Sequence, residues 1–312
     1  MAAPKKISKL INVKTVIKDM NLDIVNKNAK LIYRDLNTPA IKSLGLELIT
    51  ETNNKECTQG IVCWGTAENL FFKGQGKAKS FEYLKKVFLL EPPLICLSIG
   101  MEKEIQNWVI EVATKYQIPV FVSKYRSAEI VSLIGTYLCH YYAKETQVHG
   151  CLVQIGAVGV LITGPSGSGK SEATLELIQR GHIFISDDAV IIKQIGNHFI
   201  GLAPKITKNI IEIRGIGLID VKYTYGSKSM TDQCDIDLVI ELIKEKNGED
   251  DLDRLGNKYL KYDILDGSID KIQVPVKDGS SVASLIEVAV SAYLARKDGK
   301  DILEEMYRRR EE

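Results

Sequence analysis

The sequence contains no apolar run long enough to cross a membrane and no excess of charge of either sign. Its most apolar stretch, from Gly150 to Gly164, is about 15 residues long and contains Gln154, whereas a membrane-spanning helix needs about 20 apolar residues. Lysine and arginine total 41 of 312 residues against 40 aspartates and glutamates, so no overall field attracts nucleic acid or an anionic membrane. We therefore expect a globular protein that binds neither nucleic acid nor a membrane.

The six cysteines lack the C-x-x-C spacing that is typical of zinc, iron–sulfur and redox sites. Because a chain of this length buries a core without disulfide bonds, we expect reduced and mostly buried thiols. The segment from Met1 to Lys6 does not lead into the apolar run and small-residue cleavage site of a secretory signal. These absences favour a cytoplasmic protein.

The hydrophobic pattern predicts two α/β domains, one over residues 1–138 and one over residues 139–312. In the first, short apolar strands alternate with helical periodicity, which indicates a small α/β domain with a partly parallel sheet. The strands are predicted at Gly60 to Trp64, Leu94 to Ser98 and Ile118 to Val122, and the helices at Ser80 to Leu90, Lys103 to Tyr116 and Ser127 to Tyr142. Gly74 to Gly76 is predicted to be a loop. The second domain has short strands with glycine-rich turns, then a long helix from about Ser281.

The strongest signal is a phosphate loop of the form G-x-x-x-x-G-K-[ST]. A predicted strand at Val158 to Thr163 precedes it and an amphipathic helix at Glu172 to Gln179 follows it, which is the context that this motif needs. Small residues let backbone N–H groups surround a phosphate, Lys170 is expected to reach the β- and γ-phosphates, and the Ser171 hydroxyl is expected to bind Mg²⁺. The predicted nucleotide-binding residues are Gly164, Pro165, Ser166, Gly167, Ser168, Gly169, Lys170 and Ser171.

Two adjacent carboxylates, Asp187 and Asp188, end a short strand 17 and 18 residues after Lys170. Neighbouring residues of a strand point to opposite faces, so the two side chains cannot have the same chemical role. One is expected near a metal ion, and the other is expected to accept a proton from an attacking hydroxyl. Spacing alone does not say which is which, and an ordinary turn after the strand is the alternative.

Two further features are ambiguous when read from the residues alone. His149 lies 15 residues before Gly164, and a single histidine is more often structural than catalytic. Glu212 and Arg214 belong to a glycine-containing strand and turn, where the carboxylate could complete a magnesium shell and the guanidinium could hold phosphate oxygens. A salt-bridged turn explains the same pair equally well.

Taken together, these residues resemble the HPr kinase/phosphorylase family, enzymes that phosphorylate a seryl residue of the phosphocarrier protein HPr. The resemblance spans about residues 148–290. It depends on His149-Gly150, GPSGSGKSE at 164–172, ISDDAV at 185–190, EIRGIGLIDV at 212–221, DRLG at 253–256 and IEVA at 286–289. EIRG-x-G-x-I-[DN]-V is far more specific than a phosphate loop, whereas the first domain matches only in size and α/β style.

The resemblance implies a role for each matching residue. Asp188 would be the proton acceptor in the kinase direction and the proton donor in reverse, with His149, Lys170, Arg254 and Asp187 as further active-site residues. Ser171 and Glu212 would bind Mg²⁺. A motif serving both directions would comprise Ile211, Glu212, Ile213, Arg214, Gly215, Ile216, Gly217, Leu218, Ile219 and Asp220.

The resemblance also implies a phosphate-loop domain of the phosphoenolpyruvate-carboxykinase-like type, ATP or pyrophosphate as donor, HPr as partner and a homohexamer. The family's dephosphorylation stretch, P-V-R-P-G-R-N, is altered here, since it comprises Pro275, Val276, Lys277, Asp278, Gly279 and Ser280 and is followed by Ser281. Lysine lacks the bidentate fork of arginine, and an aspartate adds negative charge. We therefore expect kinase activity more firmly than phosphorolysis.

The resemblance thus implies ATP-dependent phosphorylation of a seryl residue of HPr and the reverse phosphorolysis, which would regulate carbon metabolism and sugar uptake. Two alternatives use the same loop. A small-molecule kinase or plain NTPase would turn over without a protein acceptor, and a catalytically silent nucleotide sensor would bind ATP without transfer. The presence of Lys170, Ser171, Asp188 and Glu212 argues against the sensor.

Overall fold

The computed structural model describes residues 9–43, 60–244, 260–276, 281–300 and 302–311. The chain divides into two compact units, one ending at Tyr142 and the other beginning at Ala143. Both combine strands with helices, which confirms the predicted α/β class. No helix in the described ranges is long and apolar enough to cross a membrane.

The first unit is built on a parallel sheet whose strands lie in the order β3 (Ile41–Lys42), β4 (Ile61–Trp64), β5 (Ile95–Leu97) and β6 (Val120–Val122). Its central strands are buried along their length, as expected where helices cover a parallel sheet. Its elements are β1 (Ile11–Asn12), α1 (Val13–Asp19), β2 (Asp35–Leu36), β3 (Ile41–Lys42), β4 (Ile61–Trp64), α2 (Thr66–Leu89), β5 (Ile95–Leu97), α3 (Lys103–Lys115), β6 (Val120–Val122) and α4 (Ser127–Tyr142).

Helix α2 is longer than the sequence pattern predicted. It starts at Thr66 and includes Gly74, which was expected to lie in a loop. Gly76 still interrupts the helix. Its backbone is non-helical, with φ of 72°, and the helix is divided by a kink there. The predicted strands and the other two helices of this unit are confirmed to within one or two residues at nearly every end.

The second unit contains a six-stranded mixed sheet, a four-stranded antiparallel sheet and a separate hairpin. Its elements are β7 (Lys144–His149), β8 (Cys151–Ile155), β9 (Val158–Thr163), α5 (Lys170–Gln179), β10 (Ile183–Ser186), β11 (Ala189–Ile195), β12 (His198–Leu202), β13 (Ile210–Ile213), β14 (Gly217–Asp220), α6 (Val221–Tyr225), β15 (Gln233–Asp235), β16 (Leu238–Lys244), β17 (Leu260–Ile264), β18 (Gly267–Val276), α7 (Val282–Lys297) and α8 (Ile302–Glu311).

The six-stranded sheet has the order β10-β8-β9-β16-β18-β17, which places β9 near its centre. One face packs on α5 and α7 through residues such as Leu177 and Ile286. The other face packs on the four-stranded sheet, whose order is β15-β12-β11-β7, through residues such as Leu161 and Ile192. Because β9 is held on both faces, the loop that follows it starts from a rigid position.

The two sheets approach each other closely at Gly159 of β9. A β-carbon at this position would lie 1.7 Å from the carbonyl oxygen of Asp235 in β15. We predict that Gly159→Ala lowers the free energy of unfolding by about 3 kcal/mol, because the backbone must move apart. Gly74→Ala in α2, where a β-carbon meets nothing within 4 Å, should instead stabilise by up to about 1 kcal/mol.

Thermal unfolding followed by circular dichroism measures both effects. The packing argument fails if Gly159→Ala melts at the wild-type temperature.

Candidate active site

The phosphate loop lies between the end of β9 and the start of α5, as predicted. Gly164, Gly167 and Gly169 all have positive φ, which side chains disfavour. At Gly164 a β-carbon would also lie 2.6 Å from the carbonyl oxygen of Leu242 in the adjacent strand β16. No side chain caps the first turn of α5. The free N–H groups of this helix end therefore suit an anion.

Lys170 is buried with its ammonium inside the curve of the loop. Its Nζ donates to the carbonyl oxygens of Gly164 at 3.0 Å and Pro165 at 3.1 Å. An ammonium has three donors, so one is left for a phosphate oxygen. This geometry agrees with the phosphate-contacting role expected for Lys170.

Asp187 is a buried carboxylate that joins three separate segments. Its Oδ1 accepts from Ser171 Oγ at 2.9 Å and from Cys151 Sγ at 2.9 Å. Its Oδ2 accepts from the backbone N–H of Glu212 at 3.1 Å. Only 2% of Asp187 is exposed, so these donors take the place of water around its charge. We call Asp187 with these three donors the Asp187 cluster.

Asp188 has the opposite environment, although it is the next residue. Its side chain is 70% exposed, and its Oδ1 lies 3.1 Å from Nδ1 of His149. The backbone of Asp188 has φ of 65° and sits in a tight turn closed by the Ala189 N–H on the Asp187 carbonyl oxygen, 2.8 Å away. A positive φ at a residue other than glycine is uncommon, and such conformations concentrate at functional sites.

Glu212 and Arg214 come from the hairpin formed by β13 and β14. Alternation along β13 buries Ile211 and Ile213 in a small core with Phe184 and leaves Glu212 exposed. Leu218 of β14 is directly opposite Glu212, so the two side chains share the exposed face. The hairpin thus exposes the polar Glu212 and the apolar Leu218 on one face and is anchored by Ile211 and Ile213 on the other.

These residues converge on one cleft of about 280 Å³. It contains every described residue that was predicted to be catalytic or to bind Mg²⁺, together with Arg214, Cys151, Glu172 and parts of the loop. The lining residues are His149, Cys151, Ser166, Gly167, Gly169, Lys170, Ser171, Glu172, Asp187, Asp188, Glu212 and Arg214.

Other predicted residues lie away from this cleft or outside the described residues. Ile211 and Ile213 are core residues, whereas Ile216, Gly217, Leu218 and Asp220 are exposed on the hairpin. Pro275 and Val276 end strand β18. The described residues do not include Arg254, Lys277, Asp278, Gly279 or Ser280.

Cys151 and Glu172 line the cleft but were not among the predicted site residues. Cys151 was grouped with the reduced and mostly buried thiols. It is indeed buried, as are Cys63 and Cys96, while Cys139 is exposed. Its contact with Asp187 depends on the antiparallel pairing of β8 with β10, in which Leu152 is opposite Ser186. The only sequence signal was its position two residues after His149.

The donor set of the cleft fits a magnesium ion that is bound together with a phosphate. Within the described ranges, no three His, Cys, Asp or Glu side chains are arranged to hold a metal ion by themselves. Mg²⁺ usually takes only one or two carboxylates and completes its shell with water and substrate phosphates. The hydroxyl proton of Ser171 is directed to Asp187, which leaves the oxygen lone pairs for a cation. Ser171 and Glu212 therefore suit the role expected for them.

A strand, a glycine-rich loop ending in Lys-Ser, and a helix in this arrangement define a phosphate-loop protein. The nearby carboxylates and the Mg²⁺-compatible hydroxyl match the chemistry of phosphoryl transfer.

Comparisons with known proteins specify the family. A family model described as HPr Serine kinase N terminus matches residues 11–138, and one described as HPr Serine kinase C-terminal domain matches residues 140–310. An HPr kinase/phosphorylase from Mycoplasmopsis pulmonis (strain UAB CTIP) is 43% identical over 95% of this chain and 96% of its own length. One from Clostridium botulinum (strain Eklund 17B / Type B) is 36% identical over 91% of each chain.

A solved structure of the Hpr(Ser) kinase/phosphatase from Coxiella burnetii is 34% identical, with a TM-score of 0.47. The match covers 52% of this chain and 98% of the chain in the Coxiella burnetii structure. From the family models and the relatives, the chain belongs to the HPr kinase/phosphorylase family, which confirms the resemblance seen in the sequence.

The position of Lys170 gives a direct prediction for binding. Lys170→Ala should weaken the binding of ATP about 100-fold, because charge-assisted hydrogen bonds contribute about 1.5–3 kcal/mol each. Lys193→Ala on β11, a lysine outside the cleft, is the matched control and should bind as the wild type does. Isothermal titration calorimetry measures both, and equal affinities for the two variants would contradict the assignment.

Proposed function

We propose that this chain is a protein-serine kinase/phosphorylase, which transfers the γ-phosphoryl group of ATP to a seryl residue of HPr and catalyses the reverse phosphorolysis. This activity would regulate carbon metabolism and sugar uptake. The observation that carries the proposal is the position of Asp188, an exposed carboxylate held by His149 at the mouth of a phosphate-loop cleft. The family to which the chain belongs supports the choice of HPr as acceptor.

In the forward reaction, Asp188 is the general base. An ionised carboxylate only accepts hydrogen bonds, so His149 donates from Nδ1 to Oδ1 and leaves Oδ2 for the seryl hydroxyl. The seryl oxygen forms a bond to the γ-phosphorus, the bond from that phosphorus to ADP breaks, and the seryl proton passes to Asp188. Lys170 and the loop N–H groups hold the phosphates in line.

Ser171 and Glu212 would hold a magnesium ion beside the phosphates. When bound, Mg²⁺ neutralises charge that develops on the phosphate oxygens. Arg214, also on the cleft wall, is suited to hold phosphate oxygens through its fork of N–H donors. The positive groups thus surround the donor, while Asp188 faces the acceptor.

In the reverse reaction, an oxygen of inorganic phosphate forms a bond to the phosphorus of phosphoserine, which makes pyrophosphate. The bond between that phosphorus and the seryl oxygen breaks, and the seryl oxygen takes a proton from the protonated Asp188. Incoming phosphate needs an anion site, and Lys277 and Ser280 replace two arginines of the family pattern. We therefore propose that phosphorolysis is slower here than phosphorylation.

The rim of the cleft supports a protein acceptor over a small one. Leu218 is 72% exposed and shares a face with the cleft residue Glu212. Ile216, which is 73% exposed, lies in the turn of the same hairpin. Exposed apolar side chains beside a cleft suit contact with another macromolecule. A protein that inserts its serine into the cleft would cover this rim.

Further properties come from the family resemblance alone. We propose a cytoplasmic enzyme that assembles as a homohexamer, and that accepts pyrophosphate as an alternative donor.

The experiment that tests the proposal is phosphate transfer from labelled ATP and Mg²⁺ to HPr. Label should enter HPr and should not enter HPr whose acceptor serine is replaced by alanine. Asp188→Asn should lower the transfer rate about 1,000-fold with nucleotide affinity unchanged, since it loses the general base. Asp263→Asn, an exposed aspartate on β17, is the matched control.

Other outcomes would favour the alternatives. ATP bound without any transfer would contradict the proposal in favour of a nucleotide sensor, and turnover without HPr would favour a small-molecule kinase or NTPase.

The apolar rim gives a second prediction. Leu218→Ser should raise the KM for HPr about 5- to 10-fold and leave the KM for ATP unchanged, because buried apolar contacts dominate protein interfaces. Leu70→Ser in the first unit, where the leucine is similarly exposed, should change neither constant. Steady-state kinetics at varied HPr and ATP concentrations measure both KM values. A change in the KM for ATP alone would rule out a docking role for Leu218.

A further inference from the structure

Cys151 lies at the base of the cleft beside groups that the proposed chemistry uses. It is the first residue of β8 and is completely buried. Its sulfur is 2.9 Å from Oδ1 of Asp187, the same oxygen that accepts from Ser171. The thiol therefore contacts the carboxylate that orients the Ser171 hydroxyl.

The thiol is a donor in this contact. Burial and the negative charge of Asp187 raise the pKa of Cys151 well above its usual range. The sulfur therefore keeps its proton at neutral pH, and an ionised carboxylate can only accept. The same effects make the group a poor nucleophile, so a role in covalent chemistry is disfavoured.

Asp187 depends on this donor because water has little access to it. Three donors surround the carboxylate, and Cys151 supplies the only one of them that comes from β8. Removing the S–H would leave Oδ1 with the Ser171 hydroxyl as its sole partner among these donors. The carboxylate would then be held by two donors instead of three, and the Ser171 hydroxyl would be held less firmly in its orientation.

We propose that Cys151 is a positioning residue for the magnesium–nucleotide site. Its S–H fixes the carboxylate of Asp187, which in turn holds the Ser171 proton away from the cleft and leaves the oxygen lone pairs for the metal ion. The inference rests on the proposed use of magnesium and nucleotide, and not on the identity of the acceptor. Groups hydrogen-bonded to a metal ligand commonly change metal affinity about 10- to 100-fold. Asp187 is such a group here, and Cys151 acts one step further from the metal, through Asp187.

The alternative is that Cys151 only fills space in the core. A matched pair of variants distinguishes this packing role from the positioning role. Cys151→Val and Cys151→Thr introduce side chains of the same shape, but only threonine has a donor. The complete chain is titrated with AMP-PNP, a non-hydrolysable ATP analogue, by calorimetry at a series of MgCl₂ concentrations. Cys96→Val, which replaces a buried cysteine of the first unit, is the control.

We expect Cys151→Val to raise the apparent dissociation constant for Mg²⁺ about 5- to 10-fold, since a thiol is a weak donor. Nucleotide affinity without Mg²⁺ should be unchanged, and Cys151→Thr should stay within about twofold of wild type. Wild-type Mg²⁺ affinity in Cys151→Val, or equal losses in the valine and threonine variants, would overturn the proposal. If the valine variant does not fold, Cys151→Ala and Cys151→Ser provide the same comparison.

The Mg²⁺ titration with AMP-PNP does not involve HPr. Should the wild-type chain fail to phosphorylate HPr, the proposed function falls, while the Mg²⁺ titration still decides the role of Cys151.

Discussion

The buried carboxylate of Asp187 is the interaction on which the rest of the site depends. It holds the start of α5 through Ser171, β8 through Cys151 and the β13–β14 hairpin through the N–H of Glu212. A buried charge without partners costs several kcal/mol, so the three segments must come together for the carboxylate to be accommodated. The same carboxylate therefore fixes the phosphate loop, the proposed metal ligands and the cleft wall relative to one another.

Asp187 and Asp188 are neighbours in the sequence, but their side chains lie in different environments. Asp187 is almost completely buried and saturated with donors, while Asp188 is mostly exposed and contacts His149. The positive φ of Asp188 produces this divergence, since it turns the chain sharply just after β10. One residue suits organising the metal ligands, and the other suits exchanging a proton with an acceptor that arrives from solvent.

Sequence reasoning predicted the phosphate loop and its flanking elements, because these depend on local pattern and spacing. It also predicted different roles for Asp187 and Asp188, and the structure places the two side chains in different environments. Spacing did not say which aspartate would take which role, and only the family resemblance assigned the base to Asp188. The start of α2 was missed because Gly74 reads as a loop residue, although a helix tolerates it. The contact of Cys151 with Asp187 could not be predicted, since it depends on the pairing of β8 with β10.

A crystal structure with Mn²⁺ and AMP-PNP tests the central claim most directly, because anomalous scattering locates the metal ion. The account predicts that the oxygen of Ser171 binds the metal at about 2.1 Å, with Glu212 as a further ligand and Asp187 still hydrogen-bonded to Ser171 and Cys151. A metal bound directly by Asp187, with Ser171 turned away, would contradict the account.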